Sequence, residues 1–243
     1  MPAPTADNPA VRRDHLADST ERVLRPASGA KPAILLVRIG GRQAIVKDFS
    51  RNAWLLRNIY GRWIVAHESR IYSHLDGVEG VPAFRGRLDA FAFATDFVGG
   101  RTLKALRRRS LGSEVFDRLA ALHRALHSRG VVHLDSHQKR NILLAADGRP
   151  CLVDFATALY LGSGWLSRRV LVPLFAWADR LGLHKLKVRY CADAPKPAEA
   201  RRGRLLYAIG WLWPYTAGRR LRRIWRRRRG GQANTQGDDD AEG

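Results

Sequence analysis

The sequence predicts an α+β fold in two lobes, a small antiparallel β lobe at the N-terminus followed by a reduced, mainly helical C-terminal lobe. Three observations carry this. Short apolar runs separated by turn residues fill much of residues 33 to 97, the most regular helical stripe follows Gly99-Gly100, and two strand-like runs with a polar loop ahead of them follow that stripe. At 243 residues and 45% hydrophobic, the chain is long enough to bury a core in both lobes.

Residues 1–20, MPAPTADNPAVRRDHLADST, lack the apolar segment of a secretory signal and read as a disordered lead-in. The N-lobe is expected over 21–98. AILLV (33–37) and QAIVKDF (43–49) read as antiparallel strands joined by a turn at Gly40-Gly41. From Arg51 to Leu75 the apolar residues Trp54, Leu55, Ile59, Trp63, Ile64 and Ile71 recur at helical spacings, with an interruption expected at Gly61. Residues 83–87 and 90–97 read as two further strands.

The C-lobe is expected over 99–229. Val115, Phe116, Leu119, Leu122 and Leu126 form a helical stripe from Ser113, a candidate N-cap, to Arg129, with Gly130 just beyond. A loop at 134–140, a strand at 142–145, a turn at 147–150 and a strand at 151–155 come next. Residues 159–228 read as helices by exclusion, and 230–243 as a disordered acidic tail.

Charge is the most unusual bulk property, with 43 Lys and Arg against 22 Asp and Glu for a net +21. Residues 201–229 hold eleven arginines and no acid, interleaved with Trp211, Trp213, Tyr215 and Trp225. Such a block fits an anionic membrane surface, where Arg meets headgroups and Trp favours their boundary. It also fits nucleic acid, the less favoured partner, or a solvated helix face. The longest apolar runs, 170–178 and 205–215, fall short of the ~20 residues a spanning helix needs. Cys151 and Cys191 stand in no CxxC or Cys/His pattern, which points to neither a disulfide framework nor structural zinc and suits the cytoplasm.

Phosphoryl transfer from ATP needs a cation on the phosphates, an acid to hold that cation, a carboxylate near the acceptor hydroxyl, and oxygen ligands for Mg2+. Lys47 in AIVK and Glu68 on the next predicted helix are candidates for the first two. Asp135 in His133-Leu134-Asp135 is the candidate base, with Asn141 and Asp154 as metal ligands. Any one of these residues alone is commonplace; their order on suitable elements is the argument. His133 reads as a buried structural residue. His123 and His127 share a helix face, but no third ligand has a zinc spacing.

At these residues the sequence resembles the protein-kinase-like superfamily, and within it most the short bacterial lipopolysaccharide kinases that act on Kdo or core heptose. VVHLDSHQKRNILL, Asp154-Phe155-Ala156, and Asp179-Arg180-Leu181 followed by Lys185 to Tyr190 carry the likeness, which covers roughly residues 33–158. It implies a bilobal kinase-like fold, ATP and Mg2+ as cofactors, and a sugar hydroxyl on a membrane-embedded glycolipid as acceptor, reached from the cytoplasmic face of the inner membrane.

The departures are specific. Asn141 stands six residues after Asp135 where the family has five, which predicts a bulged loop. Ala156 replaces a glycine, no APE motif comes after it, and no GxGxxG is present. Ser28 and Gly29 are the only candidates for a phosphate-covering turn. A serine/threonine protein kinase and a pseudokinase binding module are the alternatives.

Overall fold

In the computed structural model, which describes residues 13–193, a single helical turn, α1 (Leu16–Ser19), leads into β1 (Thr20–Arg25), β2 (Ala33–Ile39) and β3 (Arg42–Asp48). Antiparallel pairing sets Ile34 against Lys47 and Ala33 against Asp48. The expected lead-in is folded from Arg13 onward. The Arg13 guanidinium pairs with Asp48 at 2.7 Å and Asp89 at 2.6 Å, and Leu16 packs with Val37, Ala44 and Val46. Residues 1–12, the basic and aromatic block 201–229 and the acidic tail 230–243 lie outside the described residues.

A helical path starts at Trp54, passes through a π-helical turn over Leu56–Gly61, and continues as α2 (Arg62–His74). The interruption expected at Gly61 is therefore a change of pitch and not a break. A Cβ at Gly61 would lie 2.9 Å from that of Phe49, so glycine is what lets the helix rest on the end of β3. β4 (Phe84–Arg87) and β5 (Ala92–Asp96) complete a sheet of order β1-β2-β3-β5-β4. β1 has no counterpart in the sequence reading. It is an edge strand, exposed after Thr20, so its residues carry no alternation of apolar and polar.

Beyond Gly100 come β6 (Arg101–Thr102), α3 (Ser113–Ser128), β7 (Val131–Val132), β8 (Ile142–Leu144), β9 (Pro150–Leu152), β10 (Leu159–Tyr160) and α4 (Val172–Tyr190). The short strands form two small sheets, β6-β8-β9 and β10-β7. Within the stretch read as helices by exclusion, residues 159 and 160 are thus a strand. Ser113 is the first helical residue and not the cap, which is Gly112; the carboxylate of Asp193, 80 residues away, accepts the Ser113 N–H at 3.0 Å.

One core runs through both lobes. It joins Ile64, Val65 and Ile71 of α2 to Leu119 and Leu126 of α3, Ile142 and Leu152 of the small sheet, and Leu186 and Tyr190 of α4. On the inner face of α3, His123 is buried with neither ring nitrogen hydrogen-bonded and stacks on His127 at 6.1 Å. Burial, aided by nearby His133 and His127, outweighs the attraction of Asp179 and lowers its pKa to about 4.

The unfolded chain takes up this proton near pH 6.5 and the folded chain only near 4, so stability should fall as pH drops through that interval. His123→Leu is expected to remove a loss of about 3 kcal/mol between pH 6.5 and 4. Urea unfolding of both proteins across that range checks it; parallel pH profiles would contradict the assignment.

Candidate active site

Period-two alternation along β3 buries Ala44, Val46 and Asp48 on one face and turns Ile45 and Lys47 toward the other. The buried face of α2 carries Ile64, Val65, Glu68, Ile71 and Tyr72, so a single carboxylate lies among apolar side chains. Lys47 Nζ donates to both Glu68 oxygens, at 2.7 and 2.9 Å, and to Asp154 Oδ1 at 2.9 Å. Glu68 is wholly buried, whereas the Asp154 side chain is 48% exposed.

Lys47 lies in the field of both carboxylates. Burial works against the Lys47 charge, but Glu68 and Asp154 outweigh it and hold the ammonium well above the ordinary lysine range. Burial dominates at Glu68 and raises its pKa in spite of Lys47. At Asp154 burial also pushes upward, and the charge and hydrogen bond of Lys47 overcome it, leaving the carboxyl below its usual range. Asp154 is therefore the accessible carboxylate of the cluster, its charged form favoured by Lys47.

Asn141 and Asp154 stand at the ends of adjacent strands, where the Val153 N–H donates to the Asn141 carbonyl at 3.0 Å. Lys47 takes one Asp154 oxygen and leaves the other without a protein partner among the described residues. A half-accessible carboxylate at Asp154 and a buried amide oxygen at Asn141 are donors of the type a hard divalent cation such as Mg2+ takes. The Asn141 amide also reaches Asp135, with Nδ2 3.4 Å from both Oδ2 and the backbone carbonyl. The extra residue between Asp135 and Asn141 is absorbed in two successive turns, Gln138 N–H to Asp135 and Asn141 N–H to Gln138. His137 Nδ1 lies 3.6 Å from Asp135 Oδ1.

Ser28 and Gly29 occupy the turn between β1 and β2, at the same end of the sheet as Lys47. Their contacts are separate from the cluster: Asn52 Nδ2 donates to the carbonyls of Gly29 at 2.7 Å and Lys31 at 3.0 Å. The structure thus gathers Lys47, Glu68 and Asp154 in one group and Asp135 with Asn141 in another, and leaves the turn tied to the start of the helix.

Two features that position these groups escape the sequence reading. The first is the role of Asp179 on α4, fully buried, which accepts the N–H of His133 at 3.0 Å and of Leu134 at 2.9 Å, the Ser136 hydroxyl at 3.0 Å, and a ring N–H of His127 at 3.0 Å. Burial raises its pKa, and the His127 hydrogen bond with the fields of His123 and His133 overcomes this to hold it at about 2. It thereby clamps the loop just ahead of Asp135, where Leu134 sits at φ 62°, a strained value for a bulky residue. One signal was available: Asp179 is the only acid between Asp154 and Asp193.

The second is a column of rings. Phe84 stacks on Tyr72 at 6.3 Å, Tyr72 meets Phe155 at 5.1 Å, and Phe155 meets His133 at 4.8 Å. This ties α2 to the residue after Asp154 and to the loop before Asp135. His133 is accordingly a buried member of that column, with Nε2 3.3 Å from the Val153 carbonyl.

A five-stranded antiparallel lobe whose helix meets the third strand through a Lys-Glu pair, above a helical lobe with paired polar loops, is the bilobal protein-kinase-like fold. Among solved structures the chain is similar to the Rio2 kinase from Chaetomium thermophilum, with a TM-score of 0.52 at 17% identity. The match covers 79% of this chain and 65% of that one, so the chain spans a little under two thirds of that structure. At this identity the likeness is one of fold. No protein-family model and no curated protein sequence matches the chain.

Removing one partner of a buried ion pair strands the other charge in the interior. Lys47→Met is therefore expected to lower the unfolding free energy by about 3–5 kcal/mol, and Lys47→Met with Glu68→Leu to recover most of that loss. Chemical denaturation of the single and double variants measures this; equal destabilisation in both would count against a coupled pair.

Proposed function

We propose that the chain is an ATP-dependent phosphotransferase that phosphorylates an alcohol group, with a sugar hydroxyl of a lipopolysaccharide-type glycolipid as acceptor. The observation that carries the reading is the Lys47 ammonium held between buried Glu68 and half-exposed Asp154, close to the Asp135–Asn141 pair. A fixed cation beside an ionised carboxylate suits triphosphate binding, because positioning and charge neutralisation make up most of phosphoryl-transfer catalysis.

Lys47, kept in place by Glu68, neutralises the phosphates next to the bond that breaks. Asn141 and Asp154 would hold Mg2+, which when bound supplies further neutralisation of phosphate oxygens. Asp135 orients the acceptor hydroxyl and takes its proton as the oxygen bonds to the γ-phosphorus; the bond to the bridging oxygen breaks and its electron pair leaves with ADP. The amide of Asn141 steadies the Asp135 carboxylate for that task.

The short connection from Asp154 to the next helix, residues 155–164, favours a glycolipid over a polypeptide, since it offers little chain for an extended peptide to lie on. The arginine and tryptophan block 201–229 would serve as an anchor on anionic lipid at the cytoplasmic face of the inner membrane. Retention of the paired Lys47 and Glu68, a costly burial without a ligand to bind, argues against a pseudokinase.

Transfer of radiolabel from γ-labelled ATP, with Mg2+, to isolated lipopolysaccharide precursor tests this reading. Asp135→Ala is expected to lower the rate by about 10²–10⁴ while ATP binding persists. Label on protein and none on glycolipid would move the acceptor to polypeptide, and ATP binding without any transfer would favour the pseudokinase.

A further inference from the structure

Two helices of the fold begin alike. Trp54-Leu55-Leu56-Arg57 opens the helix that becomes α2, and Trp165-Leu166-Ser167-Arg168 opens the one that becomes α4. Each then passes through a π-helical turn, Leu56–Gly61 in the first and Ser167–Leu171 in the second. Each buries one face: Ile64, Val65 and Glu68 in the first, and Ser167, Val172, Ala176 and Asp179 in the second.

The opposite faces are apolar and, among the described residues, uncovered. Leu55, Ile59 and Trp63 recur every four residues beside Trp54, all between 58% and 68% exposed. Leu166, Val170 and Leu174 repeat the spacing beside Trp165, between 48% and 75% exposed. Scattered surface apolar residues need no explanation, but two contiguous stripes with exposed tryptophans do.

Charge selects the partner. Residues 50–67 contain no acid and expose Arg51 and Arg62, while Arg57 turns inward to the Ser50 carbonyl; residues 155–178 expose Arg168 and Arg169 and contain no acid. Arg168 and Arg169 share a shallow surface depression with Trp165 and Pro173. The chain segment ahead of the second stripe also packs along α2: His67 Nε2 lies 2.9 Å from the Ala158 carbonyl, and His74 stacks on Tyr160 at 3.7 Å.

We propose that these two stripes are an interfacial surface, one patch in each lobe, that seats the enzyme on an anionic bilayer. Tryptophan and leucine enter the headgroup boundary while the flanking arginines meet phosphate. An acid-free apolar surface spread over two helices matches a continuous anionic sheet of lipid better than the groove a peptide needs. The proposal rests on the acceptor being lipid-linked, and it puts bilayer contact within the catalytic fold and not only in residues 201–229.

Co-sedimentation of the full chain with phosphatidylcholine vesicles, with and without phosphatidylglycerol, tests it. Binding is expected only with phosphatidylglycerol and should weaken as salt rises. Trp54→Ser with Ile59→Ser, and Trp165→Ser with Leu166→Ser, should each lower partitioning by about tenfold or more. MgATP binding, measured by calorimetry on the same variants, should stay unchanged and shows that they are folded.

Wild-type partitioning by either pair would overturn the two-lobe surface, as would binding that Trp211→Ser with Trp213→Ser alone abolishes. A dimer that the stripe substitutions disperse, with no vesicle binding by the parent, would make the surface a contact between copies and overturn it too. Loss of ATP binding in the parent protein would sink the catalytic reading and leave the surface standing, so the two failures are distinguishable.

Discussion

The Lys47 ammonium is the point on which the two lobes agree. Its three hydrogen bonds join β3, α2 and the segment just past the last strand of the small C-lobe sheet, across 107 positions of sequence to Asp154. Glu68 on an otherwise apolar helix face is tolerable only with that partner, since an unpaired buried carboxylate would protonate or pull the helix away. The packing of α2 and the position of Asp154 are therefore set by one charge. The ring column of Phe84, Tyr72, Phe155 and His133 supplies the apolar counterpart, joining α2 to the residue after Asp154 by dispersion where Lys47 joins α2 to Asp154 by charge.

Asp179 does for the C-lobe what Glu68 does for the N-lobe. Both carboxylates are fully buried and reach a chain segment rather than a ligand, but they hold it differently. Glu68 holds a side chain whose other contact is an accessible carboxylate. Asp179 holds backbone, gathering the N–H groups of His133 and Leu134 and so supporting the positive φ of Leu134 immediately before Asp135. Asp154 also has positive φ, at 67°. At Leu134, a bulky residue, this is strain that the surrounding bonds must sustain, whereas aspartate takes the region more readily.

Sequence range decides which features were legible before the chain was seen folded. The strands β2, β3, β4 and β5, the helix over Arg62–His74 and α3 carry their burial patterns within their own residues, and the order Lys47, Glu68, Asp135, Asn141, Asp154 can be read along the chain. β7 and β10 are two residues each and exist because they pair with one another, so no local period announces them. The capping of Ser113 by Asp193 and the ordering of Arg13 by Asp48 and Asp89 depend on partners at least 35 positions away. Asp179 had a role visible only once α4 was laid against the loop after β7. The inserted residue before Asn141 was legible as a bulge, but its resolution into two turns was not.

Net charge drew attention to residues 201–229, where eleven arginines stand together, whereas the fold exposes a quieter signal in the Trp-Leu starts of two helices. In sequence those residues pass as core, because Leu55, Ile59 and Trp63 continue the same helical stripe that Ile64 and Ile71 belong to. The π-helical turn changes this: an extra residue in the turn rotates the remainder of the helix, so Leu55, Ile59 and Trp63 stay exposed while Ile64 and Ile71 face the core. Trp63 and Glu68 then lie five residues apart, about 140° around α2, one facing outward and the other toward Lys47. A helix moves as a rigid body over so short a span. Whatever the outer face rests on is therefore mechanically joined to the carboxylate that pairs with Lys47, and the exposed apolar stripe and the Lys47, Glu68 and Asp154 cluster are two sides of one element.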